Sequence, residues 1–358
     1  MSAALYLWVA FPAAAALSAT HAQRLLDFER LGHVCVRNLL TQDEVSAARR
    51  ALDGEFDRQR LRAYTQKLEV HGLPTDGLDA QAAHAKLTAF CDENDVDLPF
   101  WQLFNVHRSN GLLRRLVNGP RLASIAADLL GCDEVRLYQD SLFYKEPMHG
   151  ETRWHSDLNT APLDTNSMVT CWLALTEVPD DDHGPLQFAT GSHRDFALPF
   201  WYDLDGESRQ LALDRRGYVV ESHAPLAAGD ATFHHGWCLH AAPPNLSSQT
   251  RKAFAVTYVG GQSRVLDEVG LRREPDDEDV GSYAEWINDV APGTLLDHPL
   301  LPLVVSKGRP VHGGQPGEPF AERPRAAGGS AGRRGGGRGA RGRGRGRAQQ
   351  RRSGRALG

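Results

Sequence analysis

The chain has 358 residues, 41% of them hydrophobic, enough to bury a proper core in one large domain or two ordinary ones. Its five cysteines are scattered without a C-x-x-C pair, which argues against a disulfide framework and a zinc ribbon and predicts reduced thiols in a reducing compartment. The formal net charge of −5 is unevenly placed: twelve Arg and no acid lie between Arg323 and Gly358, so that stretch carries +12 and the remainder −17.

Residues 1–22 begin with an apolar run, Ala3 to Leu17, followed by Thr20-His21-Ala22, which has the small residues of a cleavage site. No Lys or Arg precedes Arg24, and Pro12 interrupts a run already short for a membrane span. A cleaved targeting segment and a loosely docked terminal segment both stay open. An intracellular location, cytoplasm or organelle, is expected, and no later stretch reads as transmembrane.

From Arg24 a short helical stretch leads to the strand-like Val34-Cys35-Val36. Thr41 with Glu44 three residues on forms a capping box, and Val45, Ala48, Leu52 and Phe56 follow at helical spacing, predicting a helix to about Arg60. Ala63 to Pro99 is polar and broken, a lid or loop, with one helix expected from an Asp79 cap to Phe90. Phe100 to Phe104 is aromatic-rich and reads as core. Gly111 to Val117 is helical, and a second helix starts at Pro120 and stops at Gly131.

From Val135 the hydrophobic period changes to two. Strands are expected at Val135 to Gln139, Leu142 to Tyr144, Ser167 to Leu175, Leu186 to Phe188, Gly217 to Glu221, Ala231 to His235 and Arg251 to Val259. Turns fall at Asp180 to Pro185, Ala228-Gly229-Asp230 and Pro243-Pro244-Asn245. Many short strands after a helical half predict an α+β chain with a mainly β core, closed or sandwiched, and N-terminal helices packed on it. Beyond Gly260 the chain is acidic and irregular, with one short helix around Tyr283 to Ile287. Gly, Arg and Pro dominate after about Gly308, a composition that cannot bury apolar surface.

Trp154-His155-Ser156-Asp157 is the candidate metal segment. In an extended backbone His155 and Asp157 share one face, presenting an imidazole and a carboxylate together. A second His would complete a two-His-one-carboxylate set with open cis positions. His183, His193, His223, His234, His235 and His240 are the downstream candidates. His183 and His193 lie in turn-rich stretches, and His234 and His235 read as ordinary polar strand residues. His240 is preferred because Arg251 follows eleven residues on, where a chain reversal would set its guanidinium fork alongside His240 as a carboxylate anchor.

These motifs, with Gly184-Pro185-Leu186, Thr190-Gly191-Ser192-His193, Gly229-Asp230, Asn245 and the opening Leu31 to Val36 and Leu40 to Glu44, resemble the phytanoyl-CoA dioxygenase family of Fe(II)/2-oxoglutarate oxygenases over roughly Arg24 to Leu303. The resemblance implies a double-stranded β-helix, the jelly-roll or cupin-like barrel. It implies His155, Asp157 and His240 as iron ligands and Arg251 as partner of the far carboxylate of 2-oxoglutarate. Trp172 looks like a position near the cosubstrate, Gln139 and Lys145 like pocket-lining positions, and Ser141 lies near a cosubstrate contact. The implied cofactors are Fe(II), 2-oxoglutarate and O2, with ascorbate as a reductant. Two positions depart: Thr190 stands where many members have Pro, and Ala242 where some place a Ser near the cosubstrate. Related halogenases carry Ala or Gly at the carboxylate position, so Asp157 favours hydroxylation.

The implied reaction is hydroxylation of an aliphatic carbon of a small-molecule or acyl-thioester substrate, with pocket walls expected from Ala63 to Gln102 and Arg194 to Asp214. Two other readings are kept: a cupin-like metal-binding protein that does not use 2-oxoglutarate, and an RNA-associated protein acting through the Arg/Gly-rich run Arg333 to Arg347. The expected organisation is therefore a targeting leader or a disordered segment at 1–22, an Fe(II)/2-oxoglutarate oxygenase domain at 23–307 and a disordered Arg/Gly-rich tail at 308–358.

Overall fold

The computed structural model describes residues 19–195, 216–267 and 280–311. Most of the expected leader, the tail beyond 311 and nearly all of the expected pocket wall 194–214 lie outside the described residues. The two expected boundaries fall inside ordered elements. Helix α1 spans Ala19–Leu31, so it begins before residue 23, and a hairpin of β13 (Leu303–Ser306) and β14 (Arg309–Pro310) runs past residue 307.

The helices come first, as the chain pattern predicts. Strand β1 (His33–Val36) leads into α2 (Gln42–Val70), whose N-terminus carries the capping box: Thr41 accepts from the Glu44 amide, and Glu44 accepts from the Thr41 amide. This helix passes the expected end at Arg60 because Tyr64 and Leu68 continue the buried stripe of Val45, Ala48, Leu52 and Phe56. The polar run around Arg58 to Arg62 interrupts the pattern in the sequence but not the helix. Helix α3 (Ala80–Asn94) is capped by Asp79 and turns Ala83, Leu87 and Cys91 inward. The stretch read as a lid or loop is thus largely helical. Helices α4 (Gly111–Val117) and α5 (Pro120–Leu130) follow, the latter ending at left-handed Gly131. Strand β2 (Trp101–Phe104) lies between them and α3.

The remaining strands are β3 (Val135–Lys145), β4 (Thr152–His155), β5 (Leu163–Asp164), β6 (Met168–Ala174), β7 (Gln187–Ala189), β8 (Val220–Ser222), β9 (Ala231–His235), β10 (His240–Ala242), β11 (Arg251–Gly260) and β12 (Arg264–Val265). Expected strands Val135 to Gln139 and Leu142 to Tyr144 are one continuous β3. Strands β1-β9-β6-β11-β3-β13-β14 form the larger sheet in that order, with β2 also paired to β3; β4-β10-β7-β8 form the smaller sheet. From β3 to β11 the chain steps repeatedly from one sheet to the other, leaving only the short β5-β12 ribbon outside them. This is a jelly roll, and every named strand pair in it is antiparallel.

Alternation divides the large sheet into two faces. On its outer face Leu142, Tyr144, Cys171, Leu173, Phe233, Phe254 and Val256 pack with the apolar stripes of α2 to α5 in the main core. On the inner face Trp172, Ala174, Ala253 and Ala255 meet Leu186, Phe188, Cys238 and Ala242 of the small-sheet side. Strand β6 is therefore buried at all seven positions and is apolar at all but Thr170. The C-terminal segment covers one end with Tyr283, Trp286, Leu296 and Leu301 packed on Leu158, Leu163 and Val265. All five cysteines are free thiols. No helix among the described residues is long and apolar enough to cross a membrane.

Candidate metal site

His155 ends β4, Ser156 remains extended and buried, and Asp157 opens the one-turn helix α6 (Asp157–Thr160). The sequence placed both residues in extended chain. The helix start changes that only after the extended Ser156 linkage, so the two side chains still converge. His240 is the direct cross-strand partner of His155 on β10. Ligand atoms of His155, Asp157 and His240 all lie within 4.8 Å of one another. Nε2 of His155 is 3.8 Å and Nε2 of His240 3.5 Å from Asp157 Oδ1.

The imidazoles are oriented from behind. His155 Nδ1 lies 2.7 Å from the Arg153 carbonyl oxygen, and His240 Nδ1 3.0 Å from that of Cys238. A carbonyl only accepts, so each neutral ring carries its proton on Nδ1 and points an Nε2 lone pair at the carboxylate. Two inward lone pairs and one anionic oxygen at chelating distance fit a single divalent cation. Burial opposes ionisation of Asp157, yet His240, His234 and His155 together hold its carboxyl well below the usual range. Burial, then neighbouring His155 and His234, keep His240 well below the usual imidazole value and so neutral, the form that binds metal.

The carboxylate's other oxygen is also engaged. Thr170 Oγ donates to Asp157 Oδ2 at 2.5 Å, and His234 Nε2 stands 3.2 Å from the same atom. Thr257 lies behind, 3.0 Å from the Thr170 hydroxyl. Sequence reasoning missed all three, reading His234 as an ordinary strand residue. The available signal was the period of two in β6, which puts Thr170 on the face of Trp172 and Ala174.

The other candidate histidines have different places. His183 bonds Asp180 in its turn, His193 reaches the Glu29 carbonyl, and His223 bonds His33. His235 lies against the rings of Phe28 and His193.

The chain reverses between His240 and Arg251, as the spacing suggests, and in doing so passes from one sheet to the other. His240 belongs to the small sheet and Arg251 to the large one. Crossing between facing sheets is how a jelly roll delivers both to one interior. Arg251 is buried, donates to the Gly184 carbonyl and stacks over Trp172, its Cζ 5.4 Å from the ring centroid. Lys145 is its direct partner on β3, also buried, with Nζ 3.1 Å from the Ala242 carbonyl and 3.0 Å from that of Pro243. Lys145 Nζ therefore donates to the backbone of Ala242, the residue that stands where some family members place a Ser. Burial lowers the Arg251 value to about 10; burial and then Arg251 lower that of Lys145 to about 6. Gln139 and Ser141 share the inner face with Lys145, opposite Thr257 and Ala255. Gln139 Oε1 is buried without a hydrogen-bond partner among the described residues, and Ser141 is buried.

Fold and site together define a jelly-roll protein whose interior presents two imidazoles and a carboxylate at chelating distance, together with the buried, directly paired Lys145 and Arg251. The profile of the phytanoyl-CoA dioxygenase (PhyH) family matches residues 28–253. The chain belongs to that family of non-haem iron, 2-oxoglutarate-dependent oxygenases. It is 32% identical over 184 residues to an ectoine dioxygenase of Bordetella bronchiseptica, a match covering 50% of this chain and 51% of that protein. The chain thus spans about half the length of the first curated relatives it matches. Among solved structures it resembles the non-haem α-ketoglutarate-dependent carbocyclase SnoK from nogalamycin biosynthesis, with a TM-score of 0.58 at 25% identity, covering 81% of this chain and 97% of that one. EctD from S. alaskensis, solved with 2-oxoglutarate and 5-hydroxyectoine, shares the fold at 22% identity and a TM-score of 0.52, covering 74% of this chain and 84% of that one.

Proposed function

We propose that this protein is an Fe(II)- and 2-oxoglutarate-dependent dioxygenase that hydroxylates an aliphatic carbon of a small-molecule or acyl substrate. The balanced reaction takes substrate, 2-oxoglutarate and O2 to hydroxylated substrate, succinate and CO2; ascorbate takes no part in that balance and would serve only to return oxidised iron to Fe(II). The observation that carries the reading is the convergence of His155 Nε2, Asp157 Oδ1 and His240 Nε2 beside the buried pair Lys145 and Arg251.

In this reading His155, Asp157 and His240 would hold the iron through His155 Nε2, Asp157 Oδ1 and His240 Nε2. Iron bound there supplies the oxygen-activating chemistry. The protein supplies charge, orientation and dryness. Arg251 presents a planar fork to the far carboxylate of the cosubstrate, and the Trp172 ring stacked on it keeps water away. Lys145 adds a second positive group on the same face. Gln139 and Ser141 line the inner wall nearest the Thr170–Thr257 pair, and the unpartnered Gln139 carbonyl oxygen accepts from a donor on a bound ligand.

The test is an anaerobic titration of Fe(II) and 2-oxoglutarate into the purified protein, followed by the weak visible charge-transfer band of a chelated 2-oxo acid. The band is expected, as is its loss in Arg251→Ala at limiting cosubstrate. A folded, iron-loaded protein without the band would overturn the reading and leave a metal-binding jelly roll that does not use 2-oxoglutarate.

A further inference from the structure

A row of polar side chains crosses the inner face of the large sheet directly beneath Asp157. Gln139, Thr257, Thr170 and His234 are successive cross-strand partners on β3, β11, β6 and β9. The same face carries the apolar Trp172, Ala174, Ala253 and Ala255 toward the end where Lys145 and Arg251 pair. Two members of the row, Thr170 and His234, reach the same carboxylate oxygen, Asp157 Oδ2, at 2.5 and 3.2 Å. The other oxygen, Oδ1, is the one facing His155 and His240.

Proton placement follows from the chemistry of each group. An ionised carboxylate only accepts, so Thr170 spends its single hydroxyl proton on Oδ2 and accepts the proton of Thr257 in turn. His234 is buried, and its Nδ1 has no hydrogen-bond partner among the described residues. A proton on Nδ1 would leave a buried donor unsatisfied and set the Nε2 lone pair against an anionic oxygen. The proton therefore sits on Nε2 and is donated to Oδ2.

We infer that His234 and Thr170 are positioning residues that occupy Asp157 Oδ2 and so leave Oδ1 as the single carboxylate oxygen offered to the metal. The inference rests on the metal-site reading above. Its consequence is one of counting positions. With the carboxylate bound through one oxygen, three protein atoms would hold the ion and its remaining places would stay open to small ligands. A carboxylate released to bind through both oxygens would fill one of those places.

The test uses Co(II) alone, added to the metal-free full chain and followed by its visible d–d absorption, with thermal melting of the metal-free proteins alongside. Wild type is expected to bind one ion. His234→Ala and Thr170→Val are expected to bind about 10- to 100-fold more weakly, the usual effect of losing a group that orients a ligand. His234→Gln keeps an N–H donor and is expected to recover most of the affinity. If His234→Ala does not fold, Thr170→Val, which preserves shape, and His234→Gln decide the matter. Variants that bind Co(II) as tightly as wild type overturn the inference while leaving the metal site standing. So does a His234→Gln protein as weak as His234→Ala, since packing rather than the hydrogen bond would then be responsible. A wild-type protein that binds no Co(II), or a His155→Ala protein that binds as well as wild type, overturns the metal-site reading itself.

Discussion

Lys145 and Arg251 stand directly opposite each other on β3 and β11, both buried, and neither forms an ion pair with an acidic side chain among the described residues. Two adjacent buried cations are unfavourable alone and become favourable when an anion enters. Arg251→Ala should weaken binding of a dicarboxylate by about 10- to 100-fold, the effect of losing a charged hydrogen bond of about 1.5–3 kcal/mol. Calorimetry with 2-oxoglutarate on metal-loaded protein checks this, and Co(II) affinity should stay unchanged in the variant.

The lowered Lys145 value gives a pH signature with a definite sign. Its value is about 6 in the folded chain against 10.5 for the ordinary side chain. Between those values the unfolded chain binds the proton and the folded chain does not, so this group makes stability rise with pH across that window. The penalty of burying the charge is fully present below about 6. Lys145→Met should remove this part of the slope, read from urea midpoints at two pH values inside the window. An anion restores the charge, so cosubstrate binding above about pH 6 should take up a proton and weaken as pH rises. Calorimetry in buffers of different ionisation enthalpy tests the uptake.

Metal should stabilise the fold, because the site draws together residues from two strands and a helix start. At a free concentration about 100 times the dissociation constant, the gain is about 2.7 kcal/mol. Melting with Co(II) and after chelator treatment measures it. His155→Ala, Asp157→Ala and His240→Ala should each lose the shift and, with iron, succinate formation. Full turnover in any of the three would refute the ligand assignment.

Gly184 joins backbone geometry to the anion site. Its φ is +59°, and a Cβ there would lie 2.5 Å from the Pro243 carbonyl oxygen. Its own carbonyl accepts from Arg251. Gly184→Ala should cost about 1–3 kcal/mol of stability and, by moving that carbonyl, raise the KM for 2-oxoglutarate more than it changes kcat. Urea unfolding and steady-state kinetics separate the two effects.

The N-terminal capping box predicts a purely structural outcome. Thr41→Ala removes the acceptor for the Glu44 amide and the hydroxyl that donates to the Glu44 carboxylate, while the Thr41 backbone bond to that carboxylate, which also pairs with Arg121 of α5 at 2.8 Å, remains. A loss of about 1 kcal/mol is expected in urea midpoints, with cosubstrate affinity unchanged.

Local patterns made much of this protein legible before any coordinates. Thr41 with Glu44, Asp79, and Pro120 with Gly131 mark helix ends because capping depends on residues a few positions apart. Where sequence reading fell short, the missing information was tertiary. Helix α2 outruns its interrupted pattern because Tyr64 and Leu68 are buried in the shared core. The stretch after Ala63 reads as a lid or loop because its polar residues conceal a face that only burial reveals.

The site divides in the same way. The sequence by itself determined that His155 and Asp157 converge, since an extended linkage puts alternate side chains on one face whatever lies around them. It also singled out His240 and Arg251 as their partners, and a period of two announced the β core. Only the tertiary structure decided that His240 and Arg251 reach the interior from opposite sheets, that Lys145 lies across from Arg251, and that Thr170 and His234 hold the second carboxylate oxygen. Those relations join residues as few as 11 and as many as 106 positions apart, and they depend on how the strands pair and face one another. Register depends on how whole strands pair and which face they bury, and no local spacing encodes that.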